Sequence, residues 1–172
     1  MDLLDKTIVL IDAANLWNTV KDLGFNVDFA KLRDYLEKEY NILRLFYFTA
    51  LAEGEDWMFK LVDWLQFNGY TVRSKPAKSR DIGFKGDMDV DIAVDALRLT
   101  GHYQHAILFS GDGDLRVLIE ALQFAGISVT VCHTQKGSVQ RVSYDLIKQA
   151  DRFIDLADIR PTIAQTQTRT NS

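Results

Sequence analysis

Apolar residues in this chain fall into short, nearly unbroken runs, separated by stretches in which they recur every three or four positions. The runs at 7–11, 43–49, 70–74, 105–110 and 128–133 read as strands, and most of them are rich in Val, Ile, Leu and Phe. Such runs suit strands covered on both faces, where no polar side has to face water. Between them, helical spacing predicts helices at 28–39, 55–68, 89–100, 115–125 and 139–149, with Gly69, Gly101 and Gly126 as helix stops. A last apolar piece at 153–156 adds an edge strand. Strand and helix alternate, which predicts an α/β fold of three layers, α/β/α, around a mostly parallel central sheet of about five to six strands. From Pro161 onward the residues are mainly Gln, Thr, Arg and Ser, with little to bury. One domain over 1–157 and a flexible tail over 158–172 are therefore expected.

In an open parallel sheet, ligands sit outside the carboxyl ends of the strands, where the strand order reverses. Acids fall at two such ends. Asp12 follows 8–11 directly in Ile-Asp-Ala-Ala-Asn, with Asn15 one helical turn beyond; Asp112 and Asp114 follow 106–109 in Ser-Gly-Asp-Gly-Asp. Singly, each has an ordinary explanation, since Asp12 suits a helix N-cap and Asp with Gly forms turns. Their joint placement favours a site. On the helix from position 89, Asp87, Asp91 and Asp95 share one solvated face with Arg98, whereas Asp89 projects among apolar residues. A carboxylate so placed is costly unless it caps the helix, is paired or holds a metal.

Acids gathered in one place raise one another's pKa unless a cation neutralises them. With oxygen ligands only, Mg2+ or Mn2+ fits best. Zinc is disfavoured, because His102, His105 and His133 have no ligand spacing and read as surface or core residues. A hard cation held this way activates water and stabilises charge on a phosphate, so phosphodiester hydrolysis is the implied chemistry.

Composition narrows the setting. With 172 residues, 47% apolar and 26% charged, the chain is the size of one globular domain. The N-terminus lacks the basic region and cleavage site of a signal peptide, and no apolar stretch is long enough to span a bilayer. Cys132 is alone, which removes disulfides and cysteine-based zinc sites and favours a cytoplasmic location. A net charge of −4 opposes nucleic acid on average, yet Arg73, Lys75, Lys78, Arg80 and Lys85 crowd one segment. Pro76, Gly83 and Gly86 make that segment a long loop, and Lys78, Arg80 and Lys85, just before the acidic helix, are candidates to receive substrate phosphates. Arg116 and Arg141 are further candidates. Trp57, Trp64 and Phe67, at near-helical spacing, suit core or dimer packing better than base stacking, and a homodimer is the oligomer they suggest.

Three motifs carry a resemblance to a known family: Ile11-Asp12-Ala13-Ala14-Asn15, Lys85-Gly86-Asp87-Met88-Asp89-Val90-Asp91 and Ser110-Gly111-Asp112-Gly113-Asp114. Together with the closing run at 143–156, they resemble the NYN family of PIN-like ribonucleases, and more closely its bacterial LabA-like branch. The resemblance implies a PIN-like fold with the first strand central, metal binding by Asp12, Asp89, Asp112 and Asp114, and supporting roles for Asn15 and Ser110. It also implies RNA, single-stranded, as the substrate. It leaves open a rival of another class, a regulatory RNA-binding or protein-interaction module that keeps the acids without turnover. Other folds fit less well. A haloacid dehalogenase needs a second Asp where Ala14 stands, a dinucleotide fold needs glycines after its first strand, and a topoisomerase-primase site begins with Glu.

Overall fold

The computed structural model describes residues 4–77 and 87–167. Its centre is a six-stranded, wholly parallel sheet in the order β3-β2-β1-β4-β5-β6. The strands are β1 (Lys6–Asp12), β2 (Asn41–Leu51), β3 (Thr71–Pro76), β4 (His105–Phe109), β5 (Ser128–His133) and β6 (Arg152–Asp155). Each strand expected from the apolar runs is present, with ends shifted by one or two residues.

The pleat sends alternate side chains to opposite faces. Ile8 and Leu10 of β1 join Phe46 and Phe48 of β2 in one buried cluster; Val9 and Ile11 join Leu45 and Tyr47 in the other. The first face is covered by α4 (Asp89–Arg98), α5 (Arg116–Phe124) and α6 (Tyr144–Gln149), through Ile92, Ala96, Ile119, Leu122 and Leu146. The second is covered by α1 (Ala13–Leu23), α2 (Phe29–Glu39), α3 (Asp56–Phe67) and α7 (Leu156–Ile163). Both faces being covered explains why β1, β4 and β5 are buried at nearly every position, whereas the edge strand β3 carries the exposed Arg73 and Ser74. Among the described residues, no helix is long and apolar enough to cross a membrane.

Three expectations need correction. Helix α1 was absent from the predicted set. It is capped by Asp12 and closed by Gly24 in the left-handed region at φ +79°. Residues 156–163, partly expected to fray, form α7, with Ile163 fully buried and Ala164 bridged to Val27. The aromatic residues of α3 do not enter the core: Val62 and Leu65 turn inward, whereas Trp57 and Trp64 are partly exposed and Phe67 is 90% exposed.

Candidate metal centre

The sheet order reverses between β1 and β4, because the chain leaves β1 toward β2 and β3 and returns through α4 to β4 on the other side. The carboxyl ends of those two strands therefore form the crevice where a parallel sheet binds ligands. Position 12 shares its pleat face with Ile8 and Leu10, so Asp12 leaves β1 on the side covered by α4. The same reasoning places Ser110 beyond Ala106 and Leu108, and Ser110 is fully buried.

Three of the four predicted carboxylates meet at ligand distance. Asp89, half-buried at the start of α4, and the exposed Asp112 and Asp114 each offer an oxygen, and these oxygens lie within 4.8 Å of one another. Asp12 stands beside this trio rather than in it. It is 8% exposed, and its Oδ1 accepts from the Asn15 amide at 3.3 Å. The Ser110 hydroxyl also hydrogen-bonds Asp12, and the charge of Asp112 acts on it.

The capping explanations divide. Asp12 does cap α1, and Asp112 accepts from the Asp114 amide at 3.0 Å at the start of a 3-10 turn, Gly113–Leu115. Asp89 caps nothing; instead Asp87 accepts from the Asp89 amide at 2.9 Å. The Asp89 carboxylate is thus left for the crevice. Burial, reinforced by Asp87, Asp112, Asp12 and Asp114, raises its pKa to about 7. Burial likewise raises Asp12 to about 6, against the lowering hydrogen bond from Asn15. A hard all-oxygen donor set with pKa values displaced upward is what a divalent cation would relieve, so the residues fit such an ion.

A second layer holds the Asp112 loop. Asn15 Oδ1 accepts from the Gly111 amide at 3.0 Å, tying the first motif to the third, and the Thr19 hydroxyl donates to the Asn15 carbonyl at 2.7 Å. Thr19 Oγ1 and His133 Nε2 share a hydrogen bond of 2.8 Å, and the His133 ring lies directly under Gly111. The Ser143 amide donates to the Gly111 carbonyl. Sequence reasoning missed Thr19 and His133, whose contacts span up to 114 positions and leave no local trace. It also assigned Asp87 to a solvated face, although Asp87 is an electrostatic neighbour of both Asp12 and Asp89.

Of the basic candidates, Lys78, Arg80 and Lys85 lie outside the described residues. Arg73 and Lys75 are engaged in ion pairs with Asp95 at 2.8 Å and Asp91 at 3.2 Å, which fasten β3 to α4. Those two acids, expected on a solvated face, are partnered. On α4, Val90, Val94 and Leu97 face outward while Met88, Ile92 and Ala96 pack inward. Arg116 pairs with Glu120, and Arg141 donates to the Gly137 carbonyl. His105 and His133 are core residues, bonded to Thr7, Thr130 and Thr19.

Fold and site together define a three-layer α/β protein with an acidic crevice at the switch point of a parallel sheet. The NYN domain profile matches residues 6–157, and the chain belongs to the NYN domain family. It is 30% identical over 168 residues to the low amplitude and bright protein LabA of Synechococcus elongatus, covering 92% of this chain and 88% of that one. It also superposes on the crystal structure of a protein of unknown function from Vibrio parahaemolyticus with a TM-score of 0.75. That match has 26% identity and covers 91% of this chain and 95% of the other.

Proposed function

We propose that this chain is a divalent-metal-dependent ribonuclease that hydrolyses phosphodiester bonds in single-stranded RNA in the cytoplasm. The observation that carries the reading is the meeting of Asp89, Asp112 and Asp114 within 4.8 Å at the switch point of the sheet, with Asp12 beside them. Mg2+ or Mn2+ bound there supplies activated water and charge stabilisation at the phosphate.

The chain's own groups do the rest. Asp89, Asp112 and Asp114 hold the ion. Asp12, fixed by the Asn15 amide and the Ser110 hydroxyl, contributes a fourth carboxylate whose direction is set before any ligand arrives. Asn15 joins the two strand ends by accepting from the Gly111 amide, so the first and third motifs are tied to each other. Membership of the NYN family and intact acids in all three motifs support turnover over mere binding.

The test is incubation of the purified chain with labelled single-stranded RNA, with and without manganese. Cleavage that requires the metal and falls at least about a hundredfold in Asp112→Asn is expected. RNA bound but left intact under both conditions would replace the enzyme with a binding module.

A further inference from the structure

A recess of about 370 Å³ opens at the carboxyl edge of the sheet, between α1 and α3. It is distinct from the acidic crevice. The acids lie on the side of α4, and the recess lies on the opposite face, over Tyr47 and Thr49 of β2. The two adjoin at the first turn of α1, since Asp12 ends β1 while Ala13 and Ala14, next in the chain, line the recess. Its volume is in the range of small-ligand pockets, which are mostly apolar with a few convergent polar groups.

Two features of the lining point to a flat, polar-edged occupant. Trp17 of α1 and Trp57 of α3 stack on each other at 5.2 Å between ring centres and form one aromatic wall of the recess, and both keep more than a third of their surface exposed. Tyr47 is only 7% exposed, yet its hydroxyl has no hydrogen-bond partner among the described residues. The other deeply buried tyrosines do not share that condition: Tyr70 donates to the Phe29 carbonyl at 2.6 Å and Tyr103 to the Ala96 carbonyl at 2.7 Å. Tyr47 lines the recess and its oxygen is open to it rather than sealed in the core, so a polar atom of an occupant can bond it there. Asn18 and Asn26 add amides at the rim.

We propose that this recess is a nucleobase subsite, which seats the base of a nucleotide adjacent to the scissile phosphate against the stacked indole pair, with its polar edge toward the Tyr47 hydroxyl. It rests on the ribonuclease reading for its place in the reaction, but its ligand chemistry stands on the recess alone. Aromatic walls take any base by stacking, and a single hydroxyl with rim amides reads only part of a base edge. The subsite therefore favours unpaired bases, because a base inside a duplex cannot enter.

The test uses the full chain without metal, titrated with adenosine 5′-monophosphate and with ribose 5-phosphate while tryptophan fluorescence is followed. The two probes differ only in the base. We expect the nucleotide to change the emission and to bind roughly tenfold or more tighter than the sugar phosphate. Trp57→Ala, a change at a partly exposed position, should erase that difference, and Tyr47→Phe should weaken nucleotide binding while keeping the emission change. Equal affinity for the two probes, or nucleotide binding indifferent to Trp57→Ala, overturns the proposal. Emission that depends on protein concentration and not on nucleotide marks a second copy in the recess and overturns it too. Metal-dependent cleavage without base binding would sink the subsite alone, whereas base binding without cleavage would sink the ribonuclease and leave a nucleotide site.

Discussion

A methyl group at position 111 would sit 2.6 Å from His133 Nε2, with no flexible end to give way, because the ring is pinned by Thr19. Gly111→Ala should therefore cost about 1–3 kcal/mol in chemical denaturation, as overpacking does. It should also weaken manganese binding, since the loop that would move carries Asp112. Asn15→Ala removes the side chain that holds the Gly111 amide and should lower metal affinity by about 10–100-fold with little change in fold. The acids make a prediction of opposite character. Asp12 and Asp89 rise from 3.8 to about 6 and about 7, so the metal-free folded chain binds more protons than the unfolded one between these limits. Their contribution to stability is full below about pH 4 and is lost as the pH rises through 6 and 7. Asp89→Asn cannot ionise. Its melting temperature should overtake that of the unaltered metal-free chain by a few degrees on the alkaline side, and the gap should close toward about pH 4. A gap that stays constant across the titration would mean that Asp89 is not desolvated as described.

At the scale of elements, the predicted helix at 139–149 begins only at Tyr144. The preceding amides are taken by other partners. Asp22, at the end of α1, accepts from the Ser138 hydroxyl and from the Val139 and Gln140 amides, and Val142 donates to the Thr134 carbonyl. These hydrogen bonds hold the Asp22 carboxyl down at about 2. Asp22→Ala should loosen residues 137–143 and speed amide exchange there, while the strands keep their protection. No local pattern announces a carboxylate 116 positions away, so only the apolar part of that helix was legible. Helix α1 was missed for a related reason. Its buried stripe of Ala13, Leu16, Thr19 and Val20 contains just two large apolar residues, and the third contact is a threonine that reads as polar. The central strands were legible because a parallel strand covered on both faces is buried at nearly every position, as β1 and β4 are, and is therefore mainly apolar. The acids were legible because they sit beside those runs, whereas the rings and hydroxyls beneath them were not.

For the whole molecule, the sheet order brings the site together and the C-terminal end closes the face opposite to it. The family profile stops at residue 157, yet the chain continues into α7, where Leu156 and Ile163 are buried against the cluster shared with α1, α2 and α3. The connection between α1 and α2 is then tied down from both sides: Asp28 donates its amide to the Ile163 carbonyl, and Gln165 donates to the Asn26 carbonyl. Gln165 also lines the recess between α1 and α3, so the segment that follows the closing helix borders that pocket. Ile163→Ala should therefore lose about 2–5 kcal/mol in urea denaturation, the cost of a cavity at a fully buried site. Because the acids lie on the other face of the sheet, metal binding by the folded fraction should be nearly unchanged in the same variant. A loss below about 0.5 kcal/mol, the level of an ordinary surface substitution, would mean that 158–167 behave as a tail after all.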